Sequence, residues 1–209
     1  MKSIILFDVD GTVTNFERID NLAIFKCFHS SKIVMRLDKF LWCINRLDVI
    51  ANNFSLFKFR IWVYSLLSLS NYKANLERYE KVYVEETKAE IAKYYESQYE
   101  KLKSLDAEVR FLSNNQLDTS TSSYIISVKN KGKYVMEHVY GKYDIVYVVG
   151  NNWADDVRLG LKLRKKTKTT CPVYIGKSKF LINFVLKKSQ VEVYPTLNEF
   201  VNHLTEKKE

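Results

Sequence analysis

A chain of 209 residues, 46% hydrophobic and 27% charged, can bury one core and carry an inserted subdomain, and its composition excludes large-scale disorder. The formal net charge of +9 suits anionic partners without specifying a chemistry. Three widely spaced cysteines, Cys27, Cys43 and Cys171, form no Cys-x-x-Cys pattern, which argues against a disulfide framework or structural zinc and for a reducing, cytoplasmic setting.

The chain opens with the apolar and β-branched run Ser3–Phe7, then Asp8-Val9-Asp10-Gly11-Thr12. The apolar run is too short for a signal-peptide core. Two carboxylates two residues apart, where the chain leaves a buried strand, are costly unless a cation neutralises them, and such hard oxygen ligands suit Mg²⁺. Gly11 allows a sharp turn and a close backbone approach. The same residues also describe an ordinary acidic turn.

Between Gly11 and Gly132 the chain has neither glycine nor proline, which predicts helices joined by polar turns. The section Asn21–Asn75 is basic, and within it Asn21–Leu69 carries Phe25, Phe28, Phe40, Trp42, Phe57, Phe59, Trp62 and Tyr64, expected on the inner faces of packed helices. Its most apolar part, Phe54–Leu69, is broken by Lys58 and Arg60 and is too short to span a bilayer, so no transmembrane segment is expected and the protein should be soluble. Leu76–Leu105 reads as one or two amphipathic helices with opposite charges four apart, such as Glu77 and Lys81.

Strand-like runs then follow at Val109–Leu112, Tyr124–Val128, Asp144–Val149 and Pro172–Ile175, with a weaker one at Val191–Tyr194. Helical stretches at Gly132–Val139, Ala154–Leu163 and Lys179–Lys187 fall between several of them. Strands alternating with helices predict an α/β fold: a Rossmann-like parallel sheet covered by helices on both faces. The expected core is residues 1–15 and 106–209, interrupted after its first strand by a helical cap over residues 16–105.

In open α/β sheets the reactive groups gather at the carboxyl ends of the strands. The second strand ends in Leu112-Ser113-Asn114-Asn115, the third runs into Lys129-Asn130-Lys131-Gly132-Lys133, and the fourth ends in Gly150-Asn151-Asn152-Trp153-Ala154-Asp155-Asp156. Singly, these are a turn former, a solvated basic loop and a helix cap. Together they stand in order at successive strand ends.

Asp8-Val9-Asp10-Gly11-Thr12, Ser113, Lys131 and the Gly150–Asp155 segment resemble the four motifs of the haloacid-dehalogenase-like hydrolases. The helical insertion after the first motif, and Lys131-Gly132 opening a helix, most resemble the phosphoserine-phosphatase-like branch with a helical cap, in which the first strand is central. The resemblance implies a magnesium-dependent phosphomonoester hydrolase. Asp8 would be the nucleophile and Asp10 the general acid and base. Ser113 and Lys131 would hold the phosphoryl oxygens, together with the Val9, Gly11, Thr12 and Asn114 segments. Mg²⁺ would be held through Asp8, the backbone carbonyl of Asp10 and the fourth motif, Asn151 and Asp155.

Where the family's fourth motif begins Gly-Asp, this chain has Gly150-Asn151; the amide keeps a ligating oxygen and loses a charge. Asp156 is an additional carboxylate nearby, and Lys129 and Lys133 flank Lys131. Glu17 and Arg18, just after the first motif, are candidates to reach the substrate's non-reacting end and equally ordinary solvent-exposed charges.

The expected substrate is a small phosphorylated metabolite. A polyanion or nucleic-acid end is the second candidate, supported by ten Lys or Arg residues and no acid from Val157 to Val191, and it ranks lower because no stacking platform can be picked out. A catalytically weak binding protein that retains the site is the third.

Overall fold

The computed structural model describes residues 2–43, 54–113, 125–128, 130–176, 186 and 189–207; at 42, 43, 54–57, 154 and 155 the backbone alone is described. The chain divides into two compact units, one made of Met1–Asn15 and Lys88–Glu209, the other of Phe16–Thr87. The division falls inside a helix, earlier than residue 105, because that helix runs unbroken and its later turns belong with the sheet.

In chain order the first unit contributes β1 (Ser3–Asp8). The second holds α1 (Phe16–Phe28), α2 (Lys32–Cys43) and α3 (Phe54–Leu67). The helix α4 (Tyr72–Ser104) spans 33 residues and carries the chain back to the first unit. There follow β2 (Ala107–Ser113), β3 (Ile125–Ser127), α5 (Lys131–His138), β4 (Ile145–Gly150), a π-helical turn (Trp153–Val157), α6 (Arg158–Arg164), β5 (Thr170–Ile175), β6 (Glu192–Tyr194) and α7 (Leu197–Glu206). Leu186 is helical, and the rest of the helix expected at Lys179–Lys187 lies outside the described residues.

The six strands form one sheet in the order β3-β2-β1-β4-β5-β6, and every pairing is parallel. This is the α/β architecture expected, with β1 inside the sheet. Alternation along β1 supplies both faces. Ile4 and Leu6 pack in one cluster with Val135 of α5, Val139 at its C-cap and Leu163 of α6. On the other face Phe7 stacks on Phe111 at 5.4 Å, Tyr94 and Tyr95 of α4 meet Phe111 edge-on, and Phe200 of α7 meets Phe7, Tyr147 and Tyr194.

The helical unit has its own core of Ile19, Ala23, Ile24, Phe28, Val34, Ile61, Tyr64, Tyr79, Val82 and Tyr83. Within it Arg60 donates to Asp20 (3.0 and 2.9 Å) and Asp38 (2.5 Å), all three buried. Tyr64 and Tyr79 donate their hydroxyls to Asp38 and Asp20, each at 2.6 Å.

Among the described side chains, the expectation that the aromatics of this section face inward holds for Phe28 and Tyr64. Phe25, Phe40, Phe59 and Trp62 are exposed; Trp42 and Phe57 lie outside the residues with described side chains. The inner positions of α3 are taken instead by Arg60, Ile61, Tyr64 and Ser65.

Candidate functional site

Strand order reverses around β1: the chain goes from β1 to β2 and β3 on one side, then returns to β4 on the other. Ligand crevices in open sheets open at such switch points, at the carboxyl ends of the strands. Asp8 is the last residue of β1, Ser113 of β2 and Gly150 of β4.

Past Asp8 the chain turns tightly. The N–H groups of Val13 and Thr14 both donate to the carbonyl of Val9 (3.1 and 3.0 Å), and the Thr14 hydroxyl adds a third bond to it (3.1 Å). Gly11 takes φ +79° in this loop, the left-handed region that favours glycine. The side-chain amide of Asn151 lies against Gly11, where any β-carbon would collide with it. Val9 is fully buried, its N–H bonds the Leu112 carbonyl at 3.2 Å and its carbonyl takes the three bonds above, so it shapes the loop and its N–H is already committed where the resemblance would place it on the phosphate.

Both oxygens of Asp8 are engaged. Lys131 Nζ donates to Oδ1, and Thr12 Oγ1 donates to Oδ2 at 3.0 Å. Thr12 Oγ1 in turn accepts from the Asn151 N–H at 2.9 Å, tying the first loop to the end of β4. Ser113, fully buried, donates its hydroxyl to Asp10 Oδ2 at 3.1 Å.

Lys131 opens α5, whose N-cap Asn130 accepts from the Lys133 N–H at 2.9 Å. That cap sets the first turn so that Lys131 is buried against the sheet while Lys133 faces solvent beside Glu137. Lys129 and Asn114 lie outside the described residues.

The sequence motifs did not single out Asp156 as a site residue, yet it is buried and its Oδ1 accepts from Lys131 Nζ at 2.9 Å. Its Oδ2 accepts from the Asn152 N–H at 3.2 Å. The π-helical turn brings it there: Val157 N–H reaches back five residues to the Asn152 carbonyl. Such turns often occur at functional sites. Gly150 makes the inward fold sterically feasible, since a β-carbon at that position would collide with the Asp156 side chain. Gly150 was therefore the available signal. Asp155 lies in the same turn and its side chain is outside the described set.

The electrostatics follow from this crowding. Burial pushes the Asp8 carboxyl up, Asp156 and Asp10 push it further, and Lys131 pulls against them, leaving it at about 8. Burial works against the Lys131 ammonium, but Asp8 and Asp156 outweigh it and hold it charged well above the usual lysine range. One ammonium facing this group of carboxylates leaves an excess of negative charge.

Among the described residues no three His, Cys, Asp or Glu side chains group as a metal cage. A cation would therefore need other oxygen donors, and the Asp10 carbonyl and Asn151 amide are of the kind Mg²⁺ takes beside one carboxylate. Carboxylates outnumber cations where Asp8, Asp10 and Asp156 meet Lys131, and such an ion would offset their repulsion and favour the ionised form of Asp8.

Glu17 and Arg18 belong to the helical unit, where Arg18 pairs with Glu86 at 3.3 Å. A cavity of about 450 Å³ lined by Lys2, Ser3, Lys103, Asp106, Ala107 and Glu108 sits at the amino ends of β1 and β2, the opposite edge from this cluster. Comparison with family models, with curated proteins and with solved structures finds no match for this chain.

Proposed function

We propose that the chain is a Mg²⁺-dependent phosphomonoester hydrolase of the haloacid-dehalogenase-like type, working through an aspartyl-phosphate on Asp8 and acting on a small phosphorylated metabolite in the cytoplasm. The observation that carries the reading is the buried ammonium of Lys131 bridging Asp8 and Asp156 at the switch point of a parallel sheet. A lysine held there supplies fixed positive charge where a phosphoryl group would gain negative charge on its way to the transition state. Lys131 and Thr12 also orient the two Asp8 oxygens.

In the first step an Asp8 oxygen attacks phosphorus, the bond from phosphorus to the ester oxygen breaks, and Asp10 delivers its proton to the departing oxygen. In the second, Asp10 takes a proton from water, the water oxygen attacks phosphorus, and the bond to Asp8 breaks to release inorganic phosphate. Ser113 donates its one hydroxyl hydrogen to Asp10 and orients that carboxylate; with substrate in place, the same hydrogen would turn to a phosphoryl oxygen. Mg²⁺, held by Asp8, the Asp10 carbonyl and Asn151, with Asp155 nearby in the chain, would neutralise charge on the transferring group.

A screen of phosphomonoesters with Mg²⁺, run beside Asp8→Asn, tests the reading. Turnover by the wild type and none by the variant supports it, together with acid-stable, hydroxylamine-labile label on the protein. Equal activity in the two proteins overturns it.

A further inference from the structure

The helical unit presents an apolar surface that its own core does not use. Along α3 and the turn after it, Phe59 is 57% exposed, Trp62 45%, Leu66 55% and Leu69 97%. The spacing of three and four from Phe59 through Trp62 to Leu66 sets these three in one stripe down the helix, and Leu69 follows in the turn beyond it. Phe59 and Trp62 stack with centroids 5.6 Å apart. The sequence of α3, FSLFKFRIWVYSLL, has only Lys58 and Arg60 as charges, and Arg60 is buried. A helix apolar nearly all round calls for an apolar partner on its outer side as well.

On α2 the outward side mixes Ile33 and Phe40, both exposed, with exposed Lys32, Arg36 and Lys39. The one acid of α2, Asp38, is turned inward onto Arg60. From Asn21 to Leu76 the sequence has eight Lys or Arg residues and two acids, Asp38 and Asp48. The exposed sides of α2 and α3 thus combine aromatic and aliphatic groups with cations and, among the described residues, no carboxylate.

We infer that this unit docks on an anionic lipid surface, with α3 laying Phe59, Trp62 and Leu66 into the headgroup boundary and α2 supplying Lys32, Arg36 and Lys39 to the lipid phosphates. Stacked Trp and Phe with Leu on α3, and exposed lysines and arginine on its neighbour α2, together pair the apolar and cationic groups that an anionic bilayer interface takes. No helix among the described residues is long and apolar enough to cross a membrane, so the contact is peripheral. A second copy of the chain fits less well, because a two-fold interface would set these cations against the same cations. Nucleic acid fits less well too, since Leu66 and Leu69 offer phosphate and base nothing.

The test is flotation of the full chain with vesicles of phosphatidylcholine alone and of phosphatidylcholine with phosphatidylglycerol in equal parts. The wild type is expected to float with the mixed vesicles only, and less as salt rises. Lys32→Glu/Arg36→Glu/Lys39→Glu is expected to weaken binding by about a hundredfold or more, given roughly 1 kcal/mol per basic residue near the surface. Phe59→Ser/Trp62→Ser/Leu66→Ser is expected to weaken it by at least about tenfold, the groups being exposed and outside the core. Circular dichroism checks folding, and Trp62→Ser alone replaces the triple variant if that one unfolds. No flotation of the wild type, or unchanged flotation of both variants, overturns the inference. So does a wild-type dimer that the serine variant makes monomeric while neither binds vesicles.

Discussion

Asp8 sits under two opposing demands: the proposed nucleophilic role requires it ionised, yet burial and the Asp156 and Asp10 carboxylates hold its proton on up to about 8. Its pKa is raised on folding from an ordinary 3.8, so the stability associated with its neutral form is fully present below about pH 4 and lost as pH rises through about 8. Asp8→Asn cannot ionise and escapes that loss. In chelator, the variant's advantage in thermal melting temperature over wild type is therefore expected to grow from pH 4 to pH 8; a constant difference rejects the crowding argument. On the proposed mechanism the same substitution should lower phosphomonoester turnover at least about a thousandfold. For the lysines, Lys131→Ala is expected to lower kcat about a hundredfold or more, because it removes a fixed charge from a buried site. Lys133→Ala, its ammonium in solvent beside Glu137, should leave kcat within about twofold. Steady-state kinetics on any accepted phosphomonoester decide both.

Among the elements, α1, α2, α3 and the first turns of α4 are held by apolar packing around one buried guanidinium. Arg60 faces two carboxylates, so the network carries one more acid than base. Removing its members is therefore unequal. Arg60→Leu leaves Asp20 and Asp38 buried without a counter-charge and is expected to cost about 3–5 kcal/mol in urea denaturation. Asp38→Asn keeps the Arg60–Asp20 pair and leaves a group that still hydrogen-bonds, for an expected cost of about 1–3 kcal/mol. If Asp38→Asn proves the more damaging, the network is organised around Asp38 and not Arg60. The turn from β4 into α6 shows a second element at work. One extra residue in a π-helical turn re-aims Asp156 inward, over a glycine with no side chain to obstruct it.

For the whole molecule, a ligand that binds the folded chain and not the unfolded one raises its stability by mass action, about 1.4 kcal/mol for each tenfold of ligand above its dissociation constant. Mg²⁺ is expected to raise the melting temperature of the full chain, more for Asn151→Asp and less for Asn151→Ala, whether or not substrate is present. A response unchanged by either substitution removes Asn151 from the proposed metal site. The strands, their order of appearance and the residues gathered at their ends were legible in the chain itself, because strand periodicity is local and Asp8, Asp10, Ser113 and Lys131 stand at or just past the ends of short apolar runs. Three things were not. That α4 is one helix depends on its later turns finding Phe111 through Tyr94 and Tyr95. That Asp156 meets Lys131 depends on a turn wound by one residue more than an α-helix, which no spacing rule records. That Phe59 and Trp62 face outward while Arg60 and Tyr64 face inward depends on where Asp20 and Asp38 lie in space. Hydrophobicity is a property of a residue, whereas burial is a relation among residues far apart in the chain, so the pattern alone named the participants and the packing chose their sides.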